Sequence, residues 1–422
     1  MKEELYSGKK INIFYFMLII LIVFLIFKPS PTKILGDSLG LKIGDLFLLV
    51  LVLGILFIDY KIVLPKNPTF IFLIGLLLIE LISLFLGMVQ HVVTVRDLFE
   101  IFRPFLYLLV YLAGYKIAKK VDFSGKSVKA VKYLLLIFII FCYFQLFNFL
   151  NINEYFQYLY QYSKNRSWGS IYVRIVGTFT NPNYLGVFLT WVNSILLASI
   201  ILTKKNKIAL WFYFFLITFL ILCTGSRSSL VVFLLSIFSI IFSYNMDLVR
   251  EKKYFKSITN LITFFVIFVI FFNIFNGVII KNFRRLSDAE NIFMSFYARV
   301  DIWKSSLQLL KGTPLFGVGS YKSIIDIFDN NYINILFKNG ILGVTFFVLF
   351  LGNNLIKSYK LFLNKHNNFI RTFALGMIGI NITTIISMIT MDPYNFIQTG
   401  SIYILLISIQ DTLFGGKDVT IN

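Results

Sequence analysis

The chain has 422 residues, 58% of them hydrophobic and 14% charged, with 49 Phe and a formal charge of +20. A soluble fold of that length needs more polar surface, so the composition points to an all-α polytopic membrane protein. The apolar runs are continuous and about twenty residues long, not alternating and about ten, which excludes a β-barrel.

The first run, INIFYFMLIILIVFLIF (11–27), follows Lys9 and Lys10. It begins like a signal peptide, but no small-residue cleavage site follows, so it is expected to be retained as a span. Eleven further spans are expected at 44–60, 69–90, 97–118, 131–150, 183–203, 207–224, 228–245, 257–280, 332–353, 369–390 and 397–413. Together they make one integral membrane domain over 1–422, with a large loop at 281–331. The two cysteines, Cys142 and Cys223, fall in apolar runs, and the two histidines, His91 and His366, are far apart. Neither a disulfide framework nor a metal site is expected.

Lysine distribution sets the orientation. With the N-terminus inside, cytoplasmic segments hold 21 of the 30 lysines, including KIAKKVDFSGKSVKAVK (116–132), TKKNK (203–207) and REKKYFK (250–256). Both termini are then cytoplasmic, and the positive charge answers to membrane insertion rather than to nucleic acid. Arginine runs the other way. Eight of ten fall outside: Arg96, Arg103, Arg166, Arg174, Arg227, Arg284, Arg285 and Arg299. Guanidinium offers a rigid fork that matches phosphate oxygens, so this asymmetry suggests a phosphate-bearing ligand outside. Anchoring to lipid headgroups is the plainer reading of any one of them.

The outer motifs gather at helix starts, where unpaired N–H groups and the helix dipole favour anions. Glu80 lies near the middle of its span, where a carboxylate is costly, and is expected to pair with Arg103 as support or else to be protonated. Arg96, Glu100 and Arg103 share a helix face. In RIVGTFTNPNYLG (174–186), Asn181 can cap the following helix, Pro182 fits its first position and Gly177 allows a close approach. In TGSRSS (224–229), Ser226 or Ser228 can cap and Arg227 lies in the turn. Within 281–331, Phe296, Val300, Trp303, Leu307 and Leu310 follow a helical stripe ended by Gly312 and Pro314. This reads as an amphipathic surface helix, either a lid or a simple interfacial element. In DNNYINILFKNGILG (329–343), Asp329 or Asn330 can cap the next span, and Asp329 could instead act as a general base.

These motifs, in this order, resemble the O-antigen polymerase and ligase superfamily of bacterial surface-polysaccharide assembly. The resemblance rests on Arg174 with GTFTNPNYLG, on TGSR (224–227), and on Arg299, Trp303, PLFGVGS and DNNYINILFKNGILG, over about residues 90–400. It implies a metal-independent and cofactor-free glycosyl transfer at the outer leaflet of the bacterial cytoplasmic membrane. The donor would be a glycan on undecaprenyl pyrophosphate, and a separate chain-length regulator is an expected partner. By the same resemblance Arg174 and Arg227 would clamp the pyrophosphate and Asp329 would stand where ligases carry histidine, which favours a Wzy-type repeat-unit polymerase. Arg166, Asn181, Asn183, Ser226, Arg284, Arg285, Arg299, Asn330 and Tyr332 would line the substrate site. Transfer to lipid A–core or another acceptor by a ligase is the alternative. A flippase is a third reading, but it should place charges through the midplane, where the sequence shows only Glu80.

Overall fold

The structure is a computed structural model. It describes residues 2–29, 42–58, 64–90, 95–121, 126–160, 174–203, 206–274, 297, 300–308, 310–319, 330–365 and 367–415. Among these residues the fold is helical and contains no strand. Twelve helices coincide with the twelve expected spans: α1 (Lys2–Phe27), α2 (Ile43–Phe57), α3 (Pro68–Val89), α4 (Phe102–Ala118), α5 (Lys126–Leu146), α7 (Pro182–Leu202), α8 (Lys207–Cys223), α9 (Arg227–Arg250), α10 (Tyr254–Ile274), α11 (Asn331–Leu363), α12 (Asn368–Ser387) and α13 (Ile397–Gly415). A further short helix, α6 (Ile152–Tyr160), was not legible as a span. Among the described residues, seven helices are long and apolar enough to cross a membrane by length and composition, and three more are shorter apolar helices.

Local chemistry explains the helix starts. Asn67, Asn181, Ser226, Asn330 and Asn367 each accept a backbone N–H of the first turn, and Pro68 and Pro182 occupy the first helical position. The fourth span departs from expectation. Its first turns, Val95–Ile101, form a 3-10 helix, and Phe102 begins the α-helix proper.

The centre of the bundle is α7, packed by α8, α9 and α12. Small and hydroxyl residues let these helices approach. Ser194 and Ser236 meet at 2.7 Å, and Asn193 donates to Thr218 at 2.8 Å. A Cβ on Gly379 would fall within 2.9 Å of both Ser194 Oγ and Ser236 Oγ.

The two ends of the bundle carry different chemistry. At one end lie the starts of α7, α9 and α11 with Arg174 and Arg227. At the other, Lys116 of α4 donates to Leu56 O of α2, and Arg371 pairs with Asp247 at 2.5 Å. Near that second end Lys357 of α11 is buried against Asp411 of α13 at 2.5 Å. Lys357 also donates to Thr69 Oγ1 at 2.7 Å, and Tyr111 donates to Asp411 Oδ2 at 2.7 Å. Glu80 is therefore not alone among buried charges, as the sequence had indicated. Lys116, Lys357 and Asp411 join it, and all three have partners.

Removing one member of a buried pair leaves the other charge unpaired, at a cost of about 3–5 kcal/mol. Lys357→Met is therefore expected to lower stability by about that amount, while Lys357→Met with Asp411→Leu recovers most of the loss. Thermal unfolding of the detergent-solubilised variants reads the difference.

Candidate functional site

The stretch 174–186 and the turn 223–229 are joined into one structure. Gly177 adopts φ +58°, and the turn it makes is held by Gln145 of α5, whose Oε1 accepts Val176 N at 2.9 Å and Gly177 N at 2.7 Å. Thr178 donates to Ile26 O at 2.5 Å, which fixes the same turn to the end of α1. Arg174 Nε donates to Thr224 O at 2.7 Å, taking a carbonyl left open at the end of α8. Its Nη2 donates to Asn183 Oδ1 at 3.2 Å, in the first turn of α7. Ser229 of α9 approaches Asn183 O at 3.1 Å and Ser226 Oγ at 2.8 Å. A Cβ on Gly186 would come within 2.3 Å of Ser229 Oγ, so that glycine permits the approach.

The starts of α7 and α9 therefore lie side by side. Each carries roughly half a positive charge from its dipole. Arg174 sits between them, half-buried, and Arg227 stands exposed at the first position of α9. Asn181 and Ser226, read from sequence as caps, are the caps; Ser226 rather than Ser228 serves α9. One of Arg174's donors bonds the backbone of Thr224 and another the side chain of Asn183, so this residue shapes the site as well as charging it.

The start of α11 forms a second cluster beside the first. Tyr184 of α7 stacks on Phe396 at 4.7 Å, and the neighbouring Asn395 donates to Asn331 Oδ1 at 2.9 Å and to Asp392 Oδ2 at 2.7 Å. Asn334 donates to the same Asp392 oxygen at 3.1 Å. Burial pushes the Asp392 carboxyl above its ordinary value, while Asn395 and the positive charge of Arg103 pull it back. Glu100 receives both Arg103, at 3.2 Å, and Lys338, at 3.0 Å. Arg103 is thus ion-paired with Glu100 rather than with Glu80; Glu80 lines a small pocket with Glu100, Arg103, Lys338 and Asn339. Asn330 caps α11 through Ile333 N, and Tyr332 donates to Ile385 O at 2.8 Å, tying α11 to α12.

Gly340 breaks α11 at φ +65°, ψ −165°, a conformation open to glycine alone. The PLFGVG segment answers the break. Val318 N and Gly319 N donate to Phe337 O and Lys338 O, both at 3.0 Å, and Ile341 N and Leu342 N donate to Pro314 O and Leu315 O at 3.0 and 3.1 Å. The separate motifs PLFGVG and NGILG are two halves of one device that aims the first turns of α11.

The remaining sequence expectations divide by position. Arg166, Arg284, Arg285, Arg299 and Asp329 lie outside the described residues, as does Phe296, and of Arg96 only the backbone is described. The expected surface helix is present over 300–308, with Leu307 exposed and Leu310 buried in the 3-10 turn that follows. Lys338, Asp392, Asn334, Asn339 and Asn395 were not singled out from sequence. A signal existed for some of them: Asn331, Asn334 and Lys338 repeat at helical spacing on a chain about to enter the bundle.

A Cβ on Gly340 would lie 2.3 Å from Leu315 O, and one on Gly317 2.4 Å from Lys338 O, whereas one on Gly312 meets nothing within 4 Å. Gly340→Ala and Gly317→Ala are each expected to lose more than about 2 kcal/mol of stability or fail to fold. Gly312→Ala is expected to leave the stability within about 0.5 kcal/mol of wild type. Yield and thermal unfolding in detergent check the three together.

Residues 212–348 match the family model described as O-antigen ligase. The matched span takes in TGSR, the 300–308 helix, PLFGVG and the kinked first half of α11. The match supports the O-antigen ligase and polymerase superfamily and, with it, a glycosyl-transferring, ligase- or polymerase-like function in a multi-pass membrane protein. A search of curated proteins returns no match to this chain.

Proposed function

We propose, from the O-antigen ligase match, that the chain lengthens a surface polysaccharide by glycosyl transfer at the outer leaflet of the cytoplasmic membrane. The donor is a growing glycan on undecaprenyl pyrophosphate, and the acceptor is a hydroxyl of another lipid-linked repeat unit. The observation that carries this reading is the pair of capped helix starts of α7 and α9, with Arg174 between them and Arg227 at the tip. A dianionic leaving group suits such a site, because the positive charge is fixed in place before the reaction begins.

In the step itself the acceptor oxygen forms a bond to the anomeric carbon of the donor. The bond from that carbon to the pyrophosphate oxygen breaks, and its electron pair leaves with the pyrophosphate on the carrier. The acceptor proton goes to a carboxylate. Asp329 takes that role by its place in the motif. Asp392 is the second candidate, because burial raises its affinity for a proton and it lies beside the start of α11. Among the remaining arginines, Arg166, Arg284, Arg285 and Arg299 would complete the binding of the carrier headgroup.

Transfer to a final acceptor by a ligase is the second reading, favoured by the description of the matching family model. Deleting the gene separates the two. Loss of the polymer ladder with single repeat units remaining means polymerase; a full ladder retained on the carrier and missing from its acceptor means ligase. Unchanged surface glycan and unchanged lipid-linked intermediates would reject both. The base is assigned by Asp329→Asn and Asp392→Asn: the one that acts as base loses at least about 100-fold in rate. Asp392→Asn is expected to stay folded, since an amide oxygen still accepts from Asn334 and Asn395.

A further inference from the structure

A long groove separates α9 from α10, at the far side of the bundle from the arginine-bearing helix starts. Phe238, Phe242 and Met246 of α9 and Leu261 and Phe265 of α10 line a space of about 790 Å3. The groove follows α9 from Leu234 to Val249, about 22 Å at 1.5 Å per residue. Half of a hydrocarbon core is about 15 Å thick, so the groove is long enough for the chain of a lipid in one leaflet. Its polar lining residues are Asn245 and Ser257, and their bonds are made within the groove. Ser257 Oγ donates to Asn245 Oδ1 at 3.0 Å, and Asn245 Nδ2 donates to Ile241 O at 3.0 Å. Phe238, Phe242 and Phe265 remain more than half exposed, so the walls suit hydrocarbon.

Positive charge gathers where the groove ends. Val249 and Ser257 line that end, and the chain between them reads REKKYFK (250–256). The carboxylates there are already engaged: Glu251 receives Lys253 at 2.6 Å and also Lys365, and Asp247 receives Arg371 at 2.5 Å. Arg250 lies over the Tyr359 ring at 5.6 Å. Lys252 and Lys256 are exposed and pair with no carboxylate among the described residues. The turn holds Lys252 at φ +58°, with Lys252 N and Lys253 N donating to Val249 O and Leu248 O, each at 2.9 Å. Tyr254 is exposed beside them, a residue type enriched at the membrane–water boundary, which sets this end of the groove at headgroup level. Membrane insertion requires only the charge of this loop; it does not require an apolar groove that ends among unpaired lysines. We propose that the groove binds an anionic phospholipid of the leaflet at the lysine-rich end. One acyl chain fills the space between α9 and α10, and the phosphate is held by Lys252 and Lys256, as basic positions beside interhelical spaces hold such headgroups. The lipid would complete the packing of α10 on α9. This inference does not rest on the glycosyl-transfer reading.

The test is native mass spectrometry of the full chain in a neutral detergent, titrated with phosphatidylglycerol or with phosphatidylcholine of the same chains. Wild type is expected to hold phosphatidylglycerol at one saturable site, at least about tenfold more tightly than phosphatidylcholine. Lys252→Asn with Lys256→Gln removes both charges, and asparagine suits the left-handed backbone at 252. This double variant is expected to weaken phosphatidylglycerol at least about tenfold. Lys129→Gln with Lys132→Gln removes the same charge from α5, outside the groove, and is expected to leave binding unchanged. Leu261→Trp, at a lining position 49% exposed, narrows the groove and is expected to weaken the lipid at least about fivefold. It keeps the test decisive if the double lysine variant does not fold. Equal binding of the two lipids, or wild-type binding by either folded groove variant, overturns the proposal. Tighter binding of undecaprenyl phosphate than of phosphatidylglycerol overturns it as well, since the groove would then belong to the glycan carrier.

Discussion

A backbone surrounded by hydrocarbon has no water to bond, so every interruption of a helix must be answered by another part of the chain. This constraint organises the arginine-bearing end of the bundle. The turn at 174–180 is irregular, and Gln145, Thr178 and Arg174 bond its backbone or bind it to α8 and α1. The break at Gly340 is answered by the PLFGVG strap through four backbone hydrogen bonds. Irregular backbone in a membrane protein is tolerated where other parts of the chain satisfy it, and both irregularities here are satisfied in that way.

Arginine and lysine are divided accordingly. The lysine-rich segments around 116–132, 203–207 and 250–256 belong to the end away from the helix starts. There Lys253 pairs with Glu251 at 2.6 Å, and Lys116 covers a helix end at Leu56 O. The helix starts instead receive arginines, whose planar fork can serve two tasks at once. Arg174 shows this: one donor closes α8 and another orients Asn183, and both bonds hold the guanidinium between two positive helix ends. A cation held beside two helix N-termini is electrostatically costly until an anion arrives, which is the property a site for a charged leaving group requires.

Much of this was legible in the sequence because its signals were local. Continuous apolar runs fixed the helices, and Asn-Pro at 181–182 and Ser at 226 fixed two starts within a residue. The partners of charges were less legible. Glu80 was expected to meet Arg103, yet Glu100 three residues before it on the chain has the nearer claim, and Lys338 arrives from 238 residues away. Long-range pairing of that kind leaves no trace in spacing. The same holds for Gln145, whose role depends on a turn thirty residues distant, and for Asp392, which reads as an ordinary loop carboxylate until Asn334 and Asn395 close on it. The two glycine motifs were seen separately, since nothing in their spacing announces that one hydrogen-bonds the other.

The most direct measurement of the account is glycan elongation by the purified full chain, in detergent, with a lipid-linked repeat unit and with chelator present. Arg227 is the right residue to vary, because it is exposed at the first position of α9, whereas the bonds between the two helix starts are made by Arg174, Asn183 and Ser229. The account predicts longer lipid-linked products from wild type, at least about a 100-fold loss with Arg227→Ala, and only partial recovery with Arg227→Lys. Elongation by Arg227→Ala at the wild-type rate would contradict the claim that this end of the bundle holds the leaving pyrophosphate.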